Sequence, residues 1–295
     1  MPLMTTQPMF DLAYNGGFAV GAFNVNNMEI TQGIVEACAS EKAPLILQIS
    51  KGARKYANMR YLKHIIDAAV EDHPDIPIAI HLDHGDTVDL VKNWMLGGIE
   101  EDVVGKRAEE YEKNIEKYLT DPNQAADFWK RTAVDSLAIA IGTSHGAYKF
   151  KQEAKLAIGR IEQIMKTCPG LPLVMHGSSS VPQEFIDLIN QYGGSMPNAK
   201  GVPEDQIHLA VTRFGVCKVN IDTDLRLALT AKIREVFATK AGEFDPRNYL
   251  GPARQAITEM VKRKLHVLNC AGQAEAVIKQ WKKLGEPLPA FYKKA

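Results

Sequence analysis

Three histidines of this sequence share one setting. His84, His145 and His176 each follow an apolar run and each precedes a glycine, in the segments IAIHLDHG, LAIAIGTSHG and LPLVMHG. If these runs are parallel strands, their carboxyl ends face one mouth and the three imidazoles converge there. Three neutral imidazoles with an open fourth position are typical of a catalytic zinc site. The pattern therefore predicts a metal centre, although each histidine taken alone is more often a hydrogen-bonded rim residue.

Asp83 places a carboxylate directly beside this predicted centre. Side chains alternate along a strand, so His84 turns into the same mouth as Asp83 only if the strand ends between them. A carboxylate in that position is suited to proton transfer with a bound substrate. The alternative is that Asp83 orients a histidine ligand.

The segment VCKVNIDTD predicts a strand with one polar face, formed by Lys218, Asn220 and Asp222. A polar face inside a core is unfavourable unless it binds something, so Asn220 and Asp222 are predicted substrate contacts. Lys218 allows a rival mechanism through a Schiff base.

A glycine and serine turn, Gly177 to Ser180, follows His176 and precedes a predicted helix. Such turns present backbone N–H groups and hydroxyls to an anion, and they form the phosphate site late in many barrels. An ordinary loop is the alternative interpretation.

The elements that must position these residues alternate between short apolar runs and amphipathic stretches, which is typical of β/α units around a parallel sheet. We predict six strands, eight helices with defined bounds and a further surface helix in one domain, residues 1–295, folded as a barrel or an open doubly wound sheet. The strands are 18–23, 44–50, 76–82, 136–141, 171–175 and 216–222. The helices are 26–39, 59–70, 87–96, 152–167, 183–191, 225–238, 252–264 and 274–284. The charged stretch 99–125 is predicted to be a loop running into a surface helix.

Composition excludes several classes of protein. The 295 residues include 35 basic and 35 acidic side chains, so no overall field favours nucleic acid or an anionic membrane. No stretch reaches the ~20 apolar residues of a membrane span. The four cysteines are widely spaced and form no CxxC pattern, so we expect free thiols and a cytoplasmic protein.

Read together, GAFNVNN, HLDHG, IGTSHGAYKFK, HGSSSVP, NIDTDLR and FDPRNYLGPAR resemble the class II fructose-bisphosphate aldolases, subtype B. The resemblance runs in order over nearly the whole chain. It implies a homodimer or larger homo-oligomer of (β/α)8 barrels that cleaves fructose 1,6-bisphosphate. It also implies that zinc polarises the ketone of dihydroxyacetone phosphate. A monovalent cation is a further candidate cofactor.

The resemblance also assigns roles to residues. It implies His84, His145 and His176 as zinc ligands and Asp83 as the acid/base at the C4 hydroxyl. Glu100 or Glu101 would move the C1 proton, and Arg226 and Arg247 would bind the second phosphate, with Arg226 reaching across a subunit interface. The remaining implied substrate contacts are Asn24, Ser50, Gly146, Lys149, Gly177, Ser178, Ser179, Asn220, Ile221, Asp222 and Thr223.

One departure from the family lies between Gly98 and Ile99. Members of the family have a strand, a helix and a further strand there, whereas LVKNWMLGG runs directly into IEEDVVG in this chain. The (β/α)8 barrel is therefore expected to lack one strand-helix-strand segment, which takes about 30 residues. The alternatives to a fructose-bisphosphate aldolase are a tagatose-bisphosphate aldolase, a non-catalytic barrel relative that binds or oligomerises, and another metalloenzyme such as a hydrolase.

Overall fold

All six predicted strands are present, and they form one parallel sheet. The computed structural model describes residues 3–84, 115–143 and 155–287. In these ranges the strands lie in the order β3-β2-β1-β6-β5-β4. Their bounds are β1 Val20–Asn24, β2 Leu45–Ser50, β3 Ile78–Asp83, β4 Leu137–Ala138, β5 Leu173–Met175 and β6 Val216–Ile221.

The sheet is curled into half a barrel. The first strand lies at its centre, where Ala22 pairs with Ile46 of β2 on one side and Asn220 of β6 on the other. Ser50 pairs with Asp83 at the carboxyl ends of β2 and β3. Closure into a full barrel is not seen within residues 3–84, 115–143 and 155–287.

Helices follow the strands as expected for β/α units. The first six are α1 Gln7–Gly16, α2 Met28–Ser40, α3 Lys51–Ala57, α4 Met59–Asp72, α5 Ile115–Tyr118 and α6 Pro122–Thr132. The others are α7 Ile158–Thr167, α8 Gln183–Gln191, α9 Glu204–Arg213, α10 Thr223–Thr239, α11 Pro246–Val267 and α12 Ala274–Lys283. No helix in the described part of the chain is both long enough and apolar enough to cross a membrane.

Most predicted helices agree with the structure, and the differences have local causes. Asn27 caps α2 by accepting the N–H of Ile30 at 3.0 Å, so the helix begins where the asparagine pattern predicts. The helix predicted at 152–167 begins later, at Ile158. The one predicted at 252–264 is longer, because Pro252 lies inside α11 without ending it. The prediction at 87–96 falls outside the described residues.

Three helices of the structure lie outside the predicted set. These are α1, α3 and α9. The stretch 99–125 was predicted as a loop leading into a helix, and its described part contains α5 and the beginning of α6. Residues 99–114 lie outside the described ranges.

The core surrounds the sheet on both faces. All residues of β1, β3 and β6 are buried, as expected for parallel strands covered by helices. Polar side chains interrupt this apolar core near the strands' carboxyl ends, and Asn24, Gln48, Asp83, Lys218 and Asn220 are all buried there. Buried polar groups require partners, so this edge of the sheet is where a site is expected.

Candidate metal and phosphate site

The end of β3 turns His84 into the same mouth as Asp83. The strand ends at Asp83, and His84 adopts a left-handed backbone conformation with φ 56°. Few residues other than glycine adopt this conformation, and it reverses the alternation of the strand. His84 Nε2 consequently lies 3.5 Å from Asp83 Oδ1. The predicted termination of the strand before His84 is confirmed.

His176 reaches the same point from β5. Its ring packs edge-on against that of His84, with the ring centroids 4.9 Å apart. One donor atom from each of Asp83, His84 and His176 lies within 4.8 Å of the others. Asp83 and His176 are buried and His84 is partly exposed, so the cluster opens to solvent on one side.

The donor set suits a divalent metal ion. Two imidazoles and a carboxylate are ordinary ligands for zinc and related metals. Asp83 Oδ1 is buried and accepts no hydrogen bond from any residue in the described ranges. A cation held by His84 and His176 would place an opposite charge beside that oxygen. His145, the predicted third histidine, lies outside the described residues, and among the described residues Asp83 joins His84 and His176 in the cluster.

A chain of amides fixes the Asp83 carboxylate. Asn24 Nδ2 donates to Asp83 Oδ2 at 2.6 Å, and Gln48 Nε2 donates to Asn24 Oδ1 at 3.4 Å. The three side chains come from neighbouring strands and are all buried. One carboxylate oxygen is thus held in place while the other faces the cluster.

A second chain leads from Lys218 to His176. Lys218 Nζ donates to Asn220 Oδ1 at 2.6 Å, and Asn220 Nδ2 lies 2.8 Å from ring nitrogens of His176. The Lys218 ammonium fixes the orientation of the Asn220 amide, because only the oxygen of that amide can accept a hydrogen bond. The amide nitrogen is therefore directed at the histidine.

The glycine and serine turn lies directly after His176. Gly177 has φ 62°, so the chain turns sharply there. Ser178 and Ser179 are buried, and Ser178 Oγ donates to the carbonyl oxygen of His176 at 3.0 Å. The turn and the histidine are therefore fixed to each other.

A cavity of about 230 Å³ is lined by nine of the fourteen predicted site residues that the structure describes. Arg226 stands at its mouth with 60% of its side chain exposed, and its Nη2 lies 2.5 Å from Asp222 Oδ2. Arg247 is 88% exposed, pairs with Asp245, and is not among the lining residues. The lining residues are Asn24, Ser50, Asp83, His84, His176, Gly177, Asn220, Asp222 and Arg226.

The other predicted site residues fall into two groups. Ile221 is buried in β6 and Thr223 is the first residue of α10, both next to the cavity in sequence. The second group lies outside the described residues and comprises Glu100, Glu101, His145, Gly146 and Lys149.

Three residues that hold the site in place are not singled out by the sequence patterns, namely Gln48, Asp224 and Lys264. Gln48 is the lone amide inside the apolar run LILQIS, and such a residue signals a buried polar contact. Asp224 and Lys264 lie in helices that carry several charged residues, so their burial leaves no signal in the sequence.

Curated relatives align with nearly the whole chain. A fructose-bisphosphate aldolase of Giardia intestinalis is 46% identical over 319 residues, covering 93% of this chain and 95% of the relative. One from Treponema pallidum is 39% identical over 325 residues, covering 92% and 98%.

Solved structures share the fold. The YdjI aldolase from Escherichia coli K12 superposes with a TM-score of 0.73 at 24% identity and covers 92% of this chain and 99% of its own. Fructose-bisphosphate aldolase from Campylobacter jejuni gives a TM-score of 0.68 at 19% identity, covering 91% and 96%.

The family profile described as "Fructose-bisphosphate aldolase class-II" matches two segments, residues 4–118 and 95–273. Together they include the strands, the Asp83, His84 and His176 cluster, and the glycine and serine turn. The chain therefore belongs to the class II fructose-bisphosphate aldolase family, a family of metal-dependent lyases.

Proposed function

We propose that this chain reversibly cleaves fructose 1,6-bisphosphate to dihydroxyacetone phosphate and glyceraldehyde 3-phosphate, with zinc held by His84, His145 and His176. The observation that carries the proposal is the convergence of Asp83, His84 and His176 in one cavity of a chain of this family. Zinc at this position would polarise the substrate ketone.

Asp83 moves the proton of the C4 hydroxyl in this proposal. Carbon–carbon cleavage requires a base at that hydroxyl, and the reverse reaction returns the proton. Asn24 holds Oδ2 of the carboxylate at 2.6 Å, which leaves Oδ1 directed at the cluster. A fixed carboxylate accepts a proton without first losing a water shell, which favours catalysis.

We assign the two substrate phosphates to different groups of residues. Gly177, Ser178 and Ser179 take the phosphate of the dihydroxyacetone half, with Asn220, Ile221, Asp222 and Thr223 around that half. Arg226 takes the other phosphate, because its exposed guanidinium stands at the mouth. We assign the remaining contacts to Asn24, Ser50, Gly146, Lys149 and Arg247, and the C1 proton transfer to Glu100 or Glu101.

The single domain is a (β/α)8 barrel lacking one strand-helix-strand segment between Gly98 and Ile99. The alignment with the Giardia relative has 319 positions, whereas 93% of 295 residues is about 274, so about 45 positions face gaps in this chain. Such a gap has room for a strand-helix-strand unit. The two segments matched to the family overlap at residues 95–118, which is where this break is predicted. We also propose a cytoplasmic homodimer or larger homo-oligomer.

The test is aldol cleavage of fructose 1,6-bisphosphate by the purified chain, before and after chelation, with zinc, cobalt or a monovalent cation added back. We expect chelation to abolish cleavage and zinc to restore it. His176→Ala should abolish both activity and stoichiometric zinc binding. His64→Ala is the matched control, because His64 lies on exposed α4 with 74% of its side chain exposed. Cleavage that survives complete metal removal would refute the proposal.

Two alternatives, a different sugar substrate and a Schiff-base mechanism, are tested alongside this assay. Tagatose 1,6-bisphosphate supplied in parallel tests the substrate that differs at one stereocentre. A Schiff base at Lys218 is disfavoured, because its Nζ is fully buried and donates to Asn220 at 2.6 Å. Borohydride trapping with substrate should therefore leave Lys218 unmodified.

A further inference from the structure

A buried ion pair lies behind the glycine and serine turn. Lys264 of α11 and Asp224 of α10 have side chains that are 2% and 0% exposed, and Lys264 Nζ lies 2.9 Å from Asp224 Oδ2. Lys264 also contacts Ser180 Oγ at 2.5 Å and Glu204 Oε1 at 2.7 Å. None of these groups lines the cavity.

Asp224 uses both carboxylate oxygens to hold the turn. Its Oδ2 accepts the backbone N–H of Ser180 at 3.0 Å, and its Oδ1 accepts that of Val181 at 2.9 Å. Hydrogen bonds from backbone N–H groups to a buried carboxylate are among the strong ones in proteins. The buried carboxylate of Asp224 thus fixes the backbone at the end of the turn.

The conformation held in this way is an unfavourable one. Val181 has φ 52°, a left-handed conformation that a β-branched residue rarely adopts. Gly201 packs so closely that a Cβ there would lie 2.4 Å from Ser179 O, and Val202 N donates to the same oxygen at 3.2 Å. Backbone strain of this kind persists only where surrounding contacts impose it, and it concentrates at functional sites.

We infer that the Lys264–Asp224 pair is a positioning device for the phosphate turn. This rests on the proposed function, in which the turn binds a substrate phosphate. Because Asp224 accepts the N–H groups of Ser180 and Val181, it fixes the backbone directly after Ser179. A buried ion pair is a weak source of stability compared with apolar packing, so its role is to fix this geometry.

The experiment compares Asp224→Asn, Lys264→Met and the double variant with the wild-type chain. The double variant removes both charges together, which avoids an unpaired buried charge if a single variant folds poorly. Arg263→Gln is the matched control, because Arg263 bonds Glu204 and Glu184 in the same network but does not contact the turn. The readouts are hydrogen exchange of a peptide spanning residues 177–181, inhibition by inorganic phosphate, and the separate values of kcat and KM.

We expect faster exchange in the turn and inhibition by phosphate weakened about tenfold or more in the three variants, with KM affected more than kcat. Arg263→Gln should match the wild-type chain. The inference is overturned if folded variants keep wild-type exchange and phosphate inhibition, if Arg263→Gln changes both equally, or if all three variants fail to fold. A wild-type chain that cleaves no sugar bisphosphate would refute the proposed function, while exchange would still decide whether the pair holds the turn.

Discussion

Lys218→Met tests whether a buried ammonium sets the orientation of the Asn220 amide. Lys218 has no exposed surface and its Nζ donates to Asn220 Oδ1 at 2.6 Å. Asn220 Nδ2 in turn lies 2.8 Å from His176. Methionine retains much of the volume of the lysine stem but cannot donate a hydrogen bond, so the substitution removes the orienting contact with little change in packing.

The expected size of the effect follows from that one contact. A hydrogen bond to a charged group contributes about 1.5–3 kcal/mol, and each ~1.4 kcal/mol changes a rate or affinity tenfold. Loss of amide orientation should therefore lower kcat/KM by about 10- to 150-fold. Stability should change little or rise, because an apolar residue replaces a buried charge.

The assay measures kcat/KM for fructose 1,6-bisphosphate together with thermal unfolding of the same preparation. Lys232→Met is the matched control, because Lys232 lies on α10 away from the cavity and pairs with Glu235 at the surface. An unchanged kcat/KM in a folded Lys218→Met chain would refute the orienting role. A large loss of stability would show instead that the Lys218 ammonium stabilises the fold.

Three further predictions concern the fold around the site. Burial raises the pKa of Cys217 and of Cys270 to about 12. All four cysteines are buried, so we expect their thiols to react with a thiol reagent only after denaturation, as counted by absorbance. Gly201→Ala should destabilise the chain by about 1–3 kcal/mol in chemical unfolding, because its Cβ meets backbone, whereas Gly251→Ala in open helix surface should be neutral or stabilising. Burial alone would raise the pKa of Glu204, but Lys264 and Arg263 hold it below its usual value of 4.5. Stability should therefore fall as the pH drops below 4.5, and Glu204→Gln should flatten that dependence in acid titrations of unfolding.

The strands and the histidine cluster were predictable because each depends on local pattern. Apolar runs ending in His-Gly mark buried strands whose carboxyl ends meet, and this placed His84 and His176 together. The rule also required β3 to end before His84, as the backbone at φ 56° confirms. Residue type and strand direction carry this information without any knowledge of side-chain packing.

The contacts behind the site could not be predicted because they join distant segments. Lys264 and Asp224 are 40 positions apart in sequence and lie in helices that carry several other charged residues. The two side chains become buried only when α10 and α11 pack together behind the turn. Likewise, the hydrogen bond from Asn24 to Asp83 spans 59 positions and depends on the register of β1, β2 and β3.

The position of the proposed gap decides whether residues that line the cavity would be lost. The described cavity is lined by residues at the ends of β1, β2, β3, β5 and β6, together with the first turn of α10. The proposed omission of a strand-helix-strand segment falls after β3 and before β4, so it would remove none of these strands. The hydrogen-bond chains that fix Asp83 and His176 also run entirely through β1, β2, β3, β5 and β6. The proposed gap would therefore affect closure of the sheet, whereas the described groups that orient Asp83 and His176 lie on β1, β2, β3, β5 and β6.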